Sequence, residues 1–125
     1  MHAERFIQEF DTGQRDFQGV DLRGACLQQA FLGGVDLSGA RLSRVSLEEA
    51  NLAWANLERA ILYEADLCGS LLLFAHLACA NLRGARLDGA DLSEANLHDA
   101  EVSPAQLALA SSLRGATMPD GTKYE

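Results

Sequence analysis

Along most of the chain the apolar positions recur every five residues, a spacing that no ordinary helix or strand uses. Stepping by five from Leu22 to Leu97 meets leucine sixteen times without exception, with Phe17 before the column and Val102 after it. A second column lies two residues ahead of each of these positions, from Val20 to Ala100. It holds thirteen alanines, three valines (Val20, Val35, Val45) and Ser70. Between the columns Asp or Asn fills eight of the sixteen positions from Asp21 to Asn96, so the unit is A-(D/N)-L-x-x. On an α-helix five residues turn the chain by about 500°, which sets successive leucines about 140° apart and leaves no apolar face. On a flat strand an odd step sends them to alternate faces. A chain that turns a corner after every unit keeps them all on one axis.

The corner residues agree with this. Seven of the eleven glycines stand two residues after the central hydrophobe: Gly19, Gly24, Gly34, Gly39, Gly69, Gly84 and Gly89. As the third residue of a type II turn each needs a positive φ, which glycine adopts freely. The corners that carry Gln, Arg, Glu, Trp, Phe, Cys or Asp are expected to use a type I-like turn instead.

The repeated units, above all Ala80-Asn81-Leu82-Arg83-Gly84-Ala85-Arg86-Leu87-Asp88-Gly89-Ala90-Asp91-Leu92, resemble the pentapeptide repeat family. The resemblance is strong over 16–102. It implies an all-β solenoid: a right-handed quadrilateral parallel β-helix of about 4.5 coils, with four units per coil and residues twenty apart stacked. Phe17, Leu37, Leu57, Leu77 and Leu97 then share one side. At the ordinary interstrand spacing the rod is roughly 20 Å long.

Short helical caps are expected at both ends, because an open solenoid exposes its axis and unpaired backbone. Residues 1–15 read as an N-terminal cap. In it a helix runs from Ala3 to Phe10, with Phe6, Ile7 and Phe10 on one face and Gly13 as its stop. Residues 103–125 begin with Ser103-Pro104, an N-cap followed by proline at the first helical position. The helix is expected over 104–110, with Leu107 toward the axis. The unit resumes one residue out of frame at Leu113 and Met118, and Pro119-Asp120-Gly121 closes the chain as a turn. The whole of 1–125 reads as one pentapeptide-repeat domain.

Charge narrows the function. A net charge of −8 and a pI near 4.7 argue against direct nucleic-acid binding, which needs a basic face. The longest apolar run, Leu71 to Ala75, is far too short to span a membrane. The start lacks the basic and apolar regions of a leader, and Cys26, Cys68 and Cys79 form no CxxC pair, so the expected compartment is the cytoplasm, with reduced thiols. Cys26 and Cys68 share a side but lie two coils apart, about 10 Å, beyond disulfide reach.

No motif for phosphate, dinucleotide, zinc-protease or serine-hydrolase chemistry is present, and no catalytic residue, cofactor or metal is expected. The carboxylates read as a solvated surface. His76, Cys79, His98 and Asp99 fall on one side in adjacent coils, but the two histidines stand in different columns and no closed pocket surrounds them. Ser70, the one polar member of the alanine column, is expected to bond a neighbouring carbonyl.

The run SLLLFAHL from Ser70 to Leu77 stands out. In the five-residue frame Ser70, Leu72, Ala75 and Leu77 face inward, whereas Leu71, Leu73 and Phe74 face out. Twenty residues earlier on that side are Ala53 and Trp54, so Trp54 is expected to stack over Phe74 and Ala53 over Leu73. Phe31 lies two coils from Leu71. The next coil, with Asp91, Ser93 and Glu94, ends the patch in a polar rim. A contiguous rimmed patch of this kind marks an interface. The expected function is a non-enzymatic scaffold that binds a protein through Phe31, Trp54, Leu71, Leu73 and Phe74, most simply a second copy in a two-fold homodimer. The family resemblance also implies an alternative, an acidic DNA mimic that modulates a topoisomerase or another DNA-binding protein. Against it stand the short chain, the absence of loops inserted between coils, and Arg41, Arg44, Arg59, Arg83 and Arg86 among the acids.

Overall fold

The computed structural model describes residues 1–125. Each residue before a leucine pairs in parallel with the one twenty positions on, from Asp16 with Asp36 through to Asn81 with Glu101. Four units therefore complete a coil, and each side is a strand only one or two residues long.

The backbone donors explain the repeat. In the unit from Ala55 to Arg59, Leu57 N–H donates forward to the His76 carbonyl (2.7 Å) and Asn56 N–H donates back to Val35 (2.8 Å). Arg59 N–H donates forward to Ala78, and Ala60 N–H closes the corner on the Leu57 carbonyl, both at 3.0 Å. The fifth donor, Glu58 N–H, faces no neighbouring coil, and Asn56 Oδ1 accepts it at 3.0 Å. Every Asp or Asn before Phe17 or a column leucine does the same for the residue two places on, as in Asp36 with Ser38, Asn51 with Ala53 and Asp91 with Ser93. The pre-leucine carboxylates are thus more than a solvated surface, because each completes the hydrogen bonding of its corner.

Both inner columns are buried from Leu32 to Leu97, and Ser70 is fully buried among them with its hydroxyl donating to the Leu67 carbonyl at 2.8 Å. Alanine predominates at the inner corner beside the leucines, and Val35 and Val45 are also accommodated there fully buried.

The corners differ from expectation. Gln29, Arg44, Glu49, Trp54, Arg59, Glu64, Phe74, Cys79, Glu94 and Asp99 have φ between 56° and 65°, close to the glycine corners. A type I turn places this residue near −90°, so none of the ten is type I. The ladder is the reason. Trp54 N–H reaches the Leu73 carbonyl at 2.9 Å just as Gly34 N–H reaches Ala53 at 2.9 Å. A corner of another type would aim this donor elsewhere and break the stack. Each non-glycine corner carries roughly 1–2 kcal/mol of left-handed strain.

The N-terminal helix α1 (Ala3–Asp11) buries Phe6 and Phe10, and Phe6 meets Phe17 edge-on at 4.6 Å between ring centres. It ends in a Schellman motif: Gly13, at φ 110°, donates to Phe10, and Gln14 donates to Glu9. The Arg15 guanidinium lies 3.8 Å from the Phe10 ring centre and donates to the Phe10 carbonyl.

The C-terminal helix α2 (Pro104–Ala108) is opened by a reciprocal capping box between Ser103 and Gln106. The Gln106 amide also donates to the Leu82 and Ala85 carbonyls of the coil below. The helix stops two residues short of the expected 110, because Ser111 N–H turns back to the ladder through Ala90. The pairing then resumes at a spacing of twenty-one, Asp91 with Ser112 and Asn96 with Thr117. The tail folds over this last coil, where Thr117 pairs antiparallel with Lys123.

Candidate protein-interaction face

On a side of this rod only three of five residues reach the outside: the one before the leucine and the two at the corner. On the fourth side, the one with Leu32, Leu52, Leu72 and Leu92 inside, the first three coils present Phe31-Gly33-Gly34, Asn51-Ala53-Trp54 and Leu71-Leu73-Phe74. No charged residue occurs in 30–34, 50–54 or 70–74, in a chain of net charge −8. The fourth coil restores polarity with Asp91, Ser93 and Glu94.

The expected patch residues lie together here. The rings of Trp54 and Phe74 stack at 4.3 Å between centres and 2° between planes. Trp54 remains 61% exposed and Phe74 39%; Leu71 is 41% exposed, and Phe31, in the first coil, 81%. Leu73 is half-buried. Phe31 stacks on no other ring, so it joins the patch by position rather than by contact with the pair. Gly33 and Gly34 are the residues twenty positions before Ala53 and Trp54, and a Cβ added to Gly34 would meet nothing within 4 Å.

Both stacked aromatics occupy strained corners, with φ of 65° at Trp54 and 59° at Phe74. Positive φ is a genuine outlier for bulky residues. Glycine fills seven other corners of the repeat without this strain, so ease of turning does not account for an indole and a phenyl ring at these two.

Other exposed apolar groups escaped the sequence reading. Ile61 and Tyr63 lie on the opposite side, but there Arg44 pairs with Glu64 at 2.9 Å and approaches the Tyr63 ring. Leu109 and Tyr124 are exposed near the C-terminal end. There Val102, Leu107, Leu113, Met118 and Tyr124 line a shallow hollow of about 580 Å³. Their signal was the loss of frame after Val102, which leaves these apolar residues without a coil above them.

Titratable groups are dispersed. His98 Nδ1 lies 3.7 Å from Asp99, and no three His, Cys, Asp or Glu side chains converge as metal ligands would. All three cysteines are free thiols. Burial, then the neighbouring Asp66, pushes the Cys68 thiol up to about 11, so it stays protonated at neutral pH. Asp36 is held below the usual aspartate value. Burial alone would raise it, but hydrogen bonds from the Ser38 amide and hydroxyl and from Gln18 outweigh that.

With the five-residue unit, its four-unit coil and its corners established, comparison with known proteins places the chain. It belongs to the pentapeptide repeat family, whose model of eight repeat copies matches residues 16–52, 36–72 and 75–111. A solved pentapeptide repeat protein from Nostoc Pcc 7120 is 34% identical over 87% of this chain and 93% of its own, with a TM-score of 0.52. These two likenesses indicate a right-handed β-helix. HetL, a pentapeptide repeat protein involved in heterocyst differentiation regulation in Nostoc sp. strain PCC 7120, is 22% identical over 99% of this chain and 100% of its own, at a TM-score of 0.35. QnrB1, a plasmid-mediated fluoroquinolone resistance protein, is 18% identical over 71% of this chain and 63% of its own, at 0.43. Comparison with curated protein sequences returns no match. No helix is long and apolar enough to cross a membrane.

Proposed function

We propose that this protein is a non-enzymatic, protein-binding scaffold that works through the uncharged side of its solenoid, with Phe31, Trp54, Leu71, Leu73 and Phe74 as contact residues. The observation that carries the reading is the exposed Trp54–Phe74 stack on two left-handed corners. A stacked pair contributes about 0.5–1.5 kcal/mol beyond its buried area, less than the roughly 2–4 kcal/mol of strain on the two corners it occupies. The pair therefore adds little to folding, while exposed rings favour a partner that covers them. In the same reading α1, α2 and the tail plug the ends, which leaves the sides for recognition.

The simplest occupant is a second copy, since a self-complementary patch closes on itself as a homodimer. Light scattering after size exclusion tests this. Wild type is expected at twice the chain mass, and Trp54→Glu/Phe74→Glu at the monomer mass. A wild type that is monomeric at tens of micromolar would rule out self-association.

The net charge of −8 on a rod-shaped repeat supports a second reading, the DNA mimic acting on a topoisomerase. It ranks lower because arginines break up the acidic surface: Arg23 pairs with Asp21, Arg44 with Glu64 and Arg83 with Glu101. Gyrase supercoiling is expected to be unchanged at micromolar protein. A specific effect that disappears on charge reversal at Glu48 and Glu49 would reverse the ranking.

A further inference from the structure

The relief of the uncharged side determines how two copies can meet, given the self-association proposed above. In the first coil Phe31 projects, beside the flat step at Gly33 and Gly34, where an added Cβ at Gly34 meets open space. In the second coil Asn51 and Ala53 are half-buried and Trp54 projects. In the third, Leu71 and Phe74 stand on either side of half-buried Leu73. The fourth carries two carboxylates, Asp91 and Glu94, beside Ser93. Projecting rings at one end of the patch thus have a flat step to fill at the other.

We infer that the occupant of this side is a second copy lying antiparallel, on a two-fold axis that crosses the second coil at Ala53 and Trp54. This register sets the first coil of each copy against the third coil of the other. Phe31 comes over the other copy's Leu71, and Phe74 over the other copy's Gly33–Gly34 step. Trp54 meets its own symmetry mate at the centre, where aromatic anchors contribute most to binding.

The parallel alternative sets every coil against itself. It brings Asp91 and Glu94 of one copy onto Asp91 and Glu94 of the other, and like charges facing across a closing interface are strongly unfavourable. The antiparallel register moves that row past the other copy's first coil. Charge also favours a second copy as the occupant. Two molecules of net charge −8 repel least where residues 30–34, 50–54 and 70–74 offer no charge at all.

Cross-linking distinguishes the registers. The native cysteines are first replaced by residues that the chain uses at equivalent positions: Cys26→Ser, Cys68→Ser and Cys79→Gly. A single cysteine is then introduced, either Ala53→Cys on the inferred axis or Ser93→Cys in the fourth coil. A bis-maleimide reaching about 10 Å, the spacing of packed sheet faces, is applied to the folded protein. The antiparallel dimer predicts efficient covalent dimer from Ala53→Cys and at least tenfold less from Ser93→Cys. Equal linking at both positions, in a dimer that Trp54→Gly dissociates, would overturn the antiparallel register and leave the interaction face standing. A dimer that links at neither position and survives Trp54→Gly would overturn the face itself, and a monomeric wild type would overturn both.

Discussion

Asparagine and aspartate before each leucine show how a single side chain maintains this fold. Four of the five N–H groups in a unit are satisfied by the backbone, and the fifth depends on that side chain's oxygen. Asp36→Asn keeps an acceptor for Ser38 N–H, whereas Asp36→Ala removes it. The alanine variant is expected to lose about 1 kcal/mol in denaturant unfolding and the asparagine variant less. The two protonation states add a pH signature. Because the folded Asp36 titrates below the usual value of about 3.8, its ionised form stabilises the fold above that pH. That contribution is lost as pH falls through the lowered value. Wild type should therefore lose stability relative to Asp36→Asn below about pH 3.8, and parallel pH profiles for the two would contradict the assignment. Leucine and its neighbour test the frame in the same way. Leu57→Ala should cost roughly 2–5 kcal/mol, while Glu58→Ala should cost little, because Glu58 contributes only its backbone to the ladder.

At the scale of the element, the corners show where sequence reading reached its limit. The five-residue period of leucine and alanine located every side and every inward residue, because burial of the axis leaves no other frame. It did not predict the turn type at non-glycine corners. Local preference sends Arg, Glu or Trp to negative φ, but the hydrogen bond from each corner to the next coil imposes one conformation on all of them, and that bond is invisible in five residues of sequence. The stacking of Trp54 on Phe74 was legible because it follows from register alone. The exposed Leu109 and Tyr124 were not, because α2 shifts the frame by one residue. The end helices carry their own prediction. Phe6 is fully buried against Phe17, so Phe6→Ala should cost about 3–5 kcal/mol in thermal or denaturant unfolding. A loss below 1 kcal/mol would mean that α1 is only loosely held on the first coil.

Across the whole molecule, the four sides divide the work unequally. The side with Leu22, Leu42, Leu62 and Leu82 inside holds Arg23, Arg44 and Arg83 in ion pairs, and the sides flanking it carry carboxylates such as Glu58, Glu48 and Glu49. The fourth has no charge over three coils and two strained aromatics. Recognition is the role proposed for that last side: its two left-handed corners carry exposed rings where glycine would turn with less strain. The most direct test is the mass of Trp54→Gly/Phe74→Gly by sedimentation equilibrium, because glycine removes the rings and relaxes both corners at once. The account predicts a dimeric wild type and a monomeric double variant that still unfolds cooperatively. The same mass for both proteins would contradict it.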